Sequence, residues 1–119
     1  MDRLAIVVPC YNEEEMLPIF YKEVSNNLKN INWNVIFVND GSNDNTLEVI
    51  KKLKNSYDNV KYISFSRNFG KESAIYAGLD YSTRDYIILM DADLQDPPSL
   101  LKQMYNACLL YTSPSPRDR

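Results

Sequence analysis

The chain has 119 residues, of which 45% are hydrophobic and 24% charged, a composition that suits one globular domain and excludes disorder. Its net charge is −3 and no run of Lys or Arg forms a stripe along it, which excludes nucleic acid as a partner. With no histidine, only Cys10 and Cys108 and no CxxC pair, a zinc site and a Cys/His nucleophile are excluded too, and the cysteine usage fits a reducing cytosolic setting.

In chain order, Met1-Asp2-Arg3 leads straight into Leu4–Val8, a run too short for a signal-peptide core and closed by Pro9, so it reads as a first strand. Asn12, followed by Glu13, Glu14 and Glu15, marks a helix start with negative charge in its first turn. Met16, Ile19, Phe20, Val24 and Leu28 supply the apolar spacing of that helix. A second strand is expected over Trp33–Val38. Ser42 or Asn43, ahead of Asp44, opens a helix whose apolar face carries Leu47, Ile50 and Leu53. Val60–Phe65 reads as a third strand, Ala74, Ala77, Gly78 and Tyr81 as a third helix, and Tyr86–Met90 as a fourth strand, with a fourth helix starting near Pro98. From about Cys108 the two Ser-Pro pairs break all periodicity. Residues 108–119 read as an unstructured tail, one that resembles translated adapter sequence and not native chain. No apolar run approaches the ~18 residues needed to cross a bilayer.

Strands alternating with helices over short connections predict an α/β fold, a parallel sheet of about four strands with right-handed crossovers, because a parallel neighbour cannot be reached by a hairpin. Ligands of such sheets lie outside the carboxyl ends of the strands, where strand order reverses. Four polar clusters fall on that edge: Pro9–Glu13, Val38–Ser42, Ser66–Lys71 and Asp91–Asp96.

Asp91 and Asp93 carry the sharpest signal. Residues two apart on an extended chain point the same way and can aim two carboxylates at one hard divalent cation, Mg2+ or Mn2+, which keeps open positions for phosphate oxygens. An isolated Asp-x-Asp is more often a solvated acidic turn; its place at the end of an apolar strand reverses that preference. Asp40 reads either as a turn residue beside Gly41 or as an acceptor for the ring N–H and ribose hydroxyls of a nucleotide. Tyr11 is a packed aromatic or a platform for a base. Glu13 is at least partly a helix N-terminal charge, and Arg67 and Lys71 can offer positive charge to phosphate, although solvation is the commoner fate of a single Lys or Arg. GxGxxG and GxxxxGK[ST] are both absent.

Taken together, Val8–Glu13, Val38–Ser42, Ser66–Lys71 and Met90–Pro98 closely resemble the family 2 inverting glycosyltransferases, over about residues 4 to 107. The branch they look most like moves a sugar from a nucleotide donor to a polyprenyl phosphate. The resemblance implies a GT-A, Rossmann-like fold, truncated here, with residues 1–107 as its nucleotide-sugar-binding part. It implies that Pro9, Tyr11, Glu13, Val38 and Asp40 line the nucleotide pocket. Asp91, Ala92, Asp93 and Gln95 then surround the metal and diphosphate, Asp91 and Asp93 being the catalytic pair and Gln95 joining them at the metal. It further implies a hexose transferred with inversion from a UDP- or GDP-hexose, at the cytoplasmic face of a membrane. Members of the family continue well beyond this length with an acceptor site, a further acidic residue and often membrane helices, so this chain alone is expected to bind donor without turnover.

Two other readings stand beside this one. A non-catalytic nucleotide-binding module would share every feature above and differ only in turnover. An aspartyl-phosphate phosphatase also uses Asp-x-Asp after a strand, but after its first strand and with Thr or Val where Gln95 stands here.

Overall fold

A computed structural model describes residues 4–82, 86–95 and 97–111, with the backbone alone for 108–111. Eight elements alternate along it: β1 (Leu4–Cys10), α1 (Met16–Asn27), β2 (Trp33–Asn39), α2 (Thr46–Ser56), β3 (Val60–Ser64), α3 (Lys71–Tyr81), β4 (Tyr86–Leu89) and α4 (Leu100–Tyr111). The strands form one parallel sheet in the order β3-β2-β1-β4. The chain thus winds from β1 outward through β2 to β3 and then returns to set β4 on the other side of β1, so strand order reverses between β1 and β4.

Side-chain alternation divides the sheet into two faces. Leu4, Ile6, Val8, Val35, Phe37 and Ile88 meet Leu17, Phe20 and Val24 of α1, Ile50 of α2 and Leu101 and Tyr105 of α4 in the main core. Phe20 and Phe37 pack edge to face with ring centroids 6.1 Å apart. The opposite face, Ala5, Val7, Ile36 and Val38, is covered by α3 through Ala74 and its neighbours.

Pro9 explains where the sheet parts. The Met90 amide donates to the Val7 carbonyl (3.1 Å) and the Asp40 amide to the Cys10 carbonyl (2.9 Å). Alternate residues of a parallel strand direct their backbone groups to the same neighbour, so the backbone of residue 9, like that of Val7, faces β4. Proline has no N–H to give there. The β1–β4 register accordingly stops at Val7 and Leu89, while pairing to β2 continues to Cys10 and Asn39.

Two expected helix starts are corrected. Asn12 does not cap α1: its φ is 55°, in the left-handed region, Glu15 occupies the cap position, and the first turn of α1 holds no acidic residue. The amides that would have opened a longer helix are taken by the neighbouring loop, Asn12 donating to Ser42 Oγ (2.9 Å), Glu13 to Thr46 Oγ1 (2.8 Å) and Glu14 to Asp44 Oδ2 (3.4 Å). Likewise α2 begins only at Thr46 with Asn45 at its cap; Asp44 keeps its expected place at the positive end of the helix, accepting the Thr46 amide at 2.9 Å. The start of the tail is revised as well, since α4 runs through Cys108 to Tyr111. The remainder of that expected tail, 112–119, lies outside the described residues.

Gly78 lies close against the sheet: a Cβ there would stand 2.4 Å from Val7 Cγ1 and 3.3 Å from Val38 Cγ2. Alanine gains about 1 kcal/mol over glycine in a helix interior, whereas forcing a methyl into a filled core costs about 1–3 kcal/mol. With two β-branched partners unable to turn aside, the clash wins. Gly78→Ala is therefore expected to lower the urea midpoint with an unchanged m-value, and a raised midpoint would show that α3 can slide away from the sheet.

Candidate functional site

The parting of β1 from β4 opens a cleft of ≈ 360 Å³ outside the carboxyl ends of the strands. Pro9, Tyr11, Glu13, Asp40, Asp91, Ala92, Asp93 and Gln95, all named from the sequence, line it together with Cys10 and Lys71. Val38 does not. It is fully buried one residue before the end of β2, on the face covered by α3.

Each wall is built locally. Tyr11 is 43% exposed, so its ring is not a core aromatic, and its hydroxyl accepts from Asn43 Nδ2 at 3.1 Å. After β4 the chain turns at Ala92 and Asp93 instead of staying extended, so Asp91 and Asp93 reach the same cleft through a turn. Ala92 between them is buried in the main core. The Gln95 amide donates to Asp93 Oδ1 (3.2 Å), and Leu94 between them sits at φ 59°, a conformation non-glycine residues seldom adopt. Lys71 Nζ bonds Asp91 Oδ1 at 2.7 Å. Arg67 lies elsewhere: its guanidinium stands over the Phe69 ring (4.8 Å), beside a second polar cavity of ≈ 460 Å³ between the β2–α2 and β3–α3 loops.

Asp40 is 4% exposed and its carboxylate is already engaged by the β3–α3 loop. Phe69 donates its amide to Oδ1 (2.8 Å), Gly70 its amide to Oδ2 (3.1 Å) and Asn68 its Nδ2 to Oδ2 (3.2 Å). The hold of the Asn68–Gly70 loop on Asp40 is the part that sequence reasoning missed. Lys71 reads in the sequence either as a charge for phosphate or as a solvated lysine, and only the fold brings it to Asp91 from 20 residues away.

The charges of the cleft converge on Glu13. Desolvation raises its pKa above the ordinary 4.5, and Asp93, Asp44 and Asp91 push it further in the same direction. Asp44 moves the other way: although burial disfavours its charge, hydrogen bonds from the hydroxyl and amide of Thr46 and from the Glu14 amide hold it below the usual carboxylate range. Burial pushes the Cys10 thiol up, and its Sγ donates to the Val8 carbonyl at 3.3 Å, so it stays a neutral lining group.

This cluster fits a divalent cation that arrives with phosphate. No group of three or more acidic, Cys or His side chains that could hold a metal occurs among the described residues. An ion held by one or two carboxylates takes its remaining ligands from water and diphosphate, and the repulsion felt by Glu13 is what such a charge relieves.

Because the fold favours the protonated form of Glu13, its ionisation costs stability above the raised pKa and costs nothing below the ordinary 4.5. Glu13→Gln should therefore melt higher than the parent chain at pH 7 in EDTA. The gap should close as pH falls below 4.5, and Mn2+ should narrow it at pH 7. Thermal scans at pH 4 and pH 7 check this; a variant that melts no higher at pH 7 removes the idea of a strained acidic cleft.

The sequence pattern of the family described as glycosyl transferase family 2 matches residues 5–109. The chain is 47% identical over 104 residues to the prophage bactoprenol glucosyl transferase homolog of Escherichia coli (strain K12), covering 86% of this chain and 34% of that one. It is 46% identical over 104 residues to the bactoprenol glucosyl transferase of Shigella phage SfX, with coverage of 86% and 34%. Among solved structures it is similar to the mannosyltransferase PcManGT from Pyrobaculum calidifontis, determined in complex with GDP-Man and Mn2+ (TM-score 0.77, 20% identity, 94% of this chain and 33% of that one). It is also similar to S. aureus TarS 1-349 (TM-score 0.75, 21% identity, 93% and 33%). The chain thus spans about a third of the length of the relatives it matches, and shares its fold with the solved neighbours. Sequence and fold agree, and the chain belongs to glycosyl transferase family 2.

Proposed function

We propose that this chain is the donor-binding part of a glycosyltransferase that moves a hexose from a nucleotide sugar to a polyprenyl phosphate with inversion, at the cytoplasmic face of a membrane. The observation that carries the reading is the cleft at the reversal of strand order, with Asp91, Asp93 and Glu13 gathered on it and Lys71 at its wall. The relatives named for bactoprenol support a lipid acceptor, and the solved neighbours with GDP-Man or with UDP-GlcNAc support a nucleotide-sugar donor. No helix among the described residues is long and apolar enough to cross a membrane.

The chemistry is displacement at the anomeric carbon. An oxygen of the acceptor phosphate attacks that carbon from the face opposite the diphosphate; the bond to the diphosphate oxygen breaks, and the nucleoside diphosphate departs with the electron pair. Bound Mg2+ or Mn2+ would neutralise the charge growing on that leaving group, held by Asp91 and Asp93 with Gln95 beside them. Tyr11 offers its exposed ring to the base and Lys71 its ammonium to phosphate oxygens, both from the cleft wall. Orientation by these groups confines the sugar to one line of attack, which is the part of the barrier a donor site can lower before any acceptor arrives.

Titration of UDP-glucose and GDP-mannose into the chain, in Mn2+ and in EDTA, tests this directly. Binding should require the metal and fall at least about tenfold when both Asp91 and Asp93 are replaced by alanine, and the tighter nucleotide identifies the donor class. A folded chain that binds neither nucleotide in Mn2+ would refute the donor-site reading. Binding by a longer form without turnover would favour the non-catalytic module.

A further inference from the structure

We propose that Thr46 and Asp44 are positioning residues for the donor: from the β2–α2 loop they hold the backbone of residues 12–14 and so set where Tyr11 stands in the cleft. This rests on the donor-site reading above and deepens it, since neither residue lines the cleft itself.

Residues 11–15 join β1 to α1, and the first helical bonds run only from the Met16 and Leu17 amides back to the Glu13 carbonyl, at 3.1 and 3.2 Å. The amides of residues 12, 13 and 14 precede any helical acceptor and find theirs on the β2–α2 loop, at Ser42 Oγ, Thr46 Oγ1 and Asp44 Oδ2. Thr46 is wholly buried, so its hydroxyl has to be satisfied by protein groups. It donates to Asp44 Oδ1, which leaves it a lone pair for the Glu13 amide, and the same Asp44 oxygen accepts the Thr46 amide. Ser42 repeats the arrangement: its hydroxyl donates to Asn39 Oδ1 at 2.6 Å and accepts from the Asn12 amide. In both cases the proton stays within the β2–α2 segment and the acceptor faces the chain that follows β1.

The hold reaches Tyr11 through the residue after it. Asn12 takes φ 55°, and both its amide and its Oδ1, which accepts the Asn43 amide at 2.8 Å, are engaged by the β2–α2 loop, so contacts on two sides keep it in that conformation. The residue before Tyr11 is Cys10, still paired in the sheet. The ring itself is exposed and its hydroxyl meets only the exposed Asn43 side chain, so packing does not place it and the backbone on either side does. The β2–α2 loop can act as the fixed member because it is anchored in turn. Asn39 Nδ2 donates to Ser64 Oγ at 3.1 Å, and a Cβ at Gly41 would lie 2.2 Å from the Arg67 carbonyl carbon and 2.3 Å from the Asn68 nitrogen, which is backbone against backbone.

The test is a double-mutant cycle on the 119-residue chain, read by titration with Mn2+ and whichever of UDP-glucose or GDP-mannose it binds. Tyr11→Ala should weaken binding by about tenfold and Thr46→Val by a similar factor. The double variant should bind within about twofold of Tyr11→Ala alone, because Thr46 acts through the tyrosine. Thr46→Ser, which keeps the hydroxyl, should bind within about twofold of wild type. In metal-free, nucleotide-free Thr46→Val the Glu13 and Glu14 amides should exchange with solvent about tenfold faster or more, with the amides of β1 and β2 unchanged. Asp44→Asn, which sets an amide donor among donors, should show the same coupling to Tyr11→Ala at smaller amplitude and serves if Thr46→Val does not fold. Losses that multiply in the double variant overturn the proposal alone, as do unaltered Glu13 and Glu14 amides or a Thr46→Ser chain that binds as weakly as Thr46→Val. A wild-type chain that binds neither nucleotide overturns the donor-site reading and this proposal with it.

Discussion

β1 is paired on both edges and buried along nearly its whole length, and everything else in the domain is arranged by how its two neighbours are reached. Parallel strands need crossovers, and each crossover must deliver a helix to one face of the sheet. Laying β2 and β3 on one side leaves β4 for the other, and the loops after β1 and β4 then diverge. Pro9 completes the separation by withholding a donor on the side facing β4. The cleft is thus a product of strand order and of one missing N–H, before any of its chemistry is considered.

That chemistry is a concentration of negative charge held in place by hydrogen bonds of unequal strength. Asp44 is stabilised as a carboxylate by the donors around it, and Asp40 is tied into a loop. Glu13, which lacks such compensation, carries the repulsion of the cluster. A site of this kind discriminates by charge count: a doubly charged cation that brings its own phosphate oxygens relieves the strain, and a neutral ligand does not.

The fold was legible in the sequence because it rests on period and composition. β-branched runs such as Leu4–Val8 and Trp33–Val38 sit within one or two residues of the observed strands, and the spacing of Phe20, Val24, Ile50 and Ala74 marks faces that are indeed buried. Helix starts were less legible, since Asn12 and Ser42 have the composition of caps but spend their groups on each other's loops, a contact between residues 30 apart. In the site, residues at strand ends could be named by motif and fall on one cleft. Val38 stands in the motif but lies under α3, because a motif gives sequence neighbours and not how deeply each is buried. Lys71 was undervalued because its partner Asp91 becomes a neighbour only when the sheet closes.

The contact of Gly41 with the backbone of Arg67 and Asn68 has a consequence for how such a domain can diversify. A clash between side chains can be relieved by a compensating substitution, but a clash against main-chain atoms cannot, whatever residues occupy 67 and 68. The β2–α2 and β3–α3 loops therefore behave as a single heritable unit: one that can change length or path only if both change together, and that should be exchanged as a pair when either is transplanted between related scaffolds.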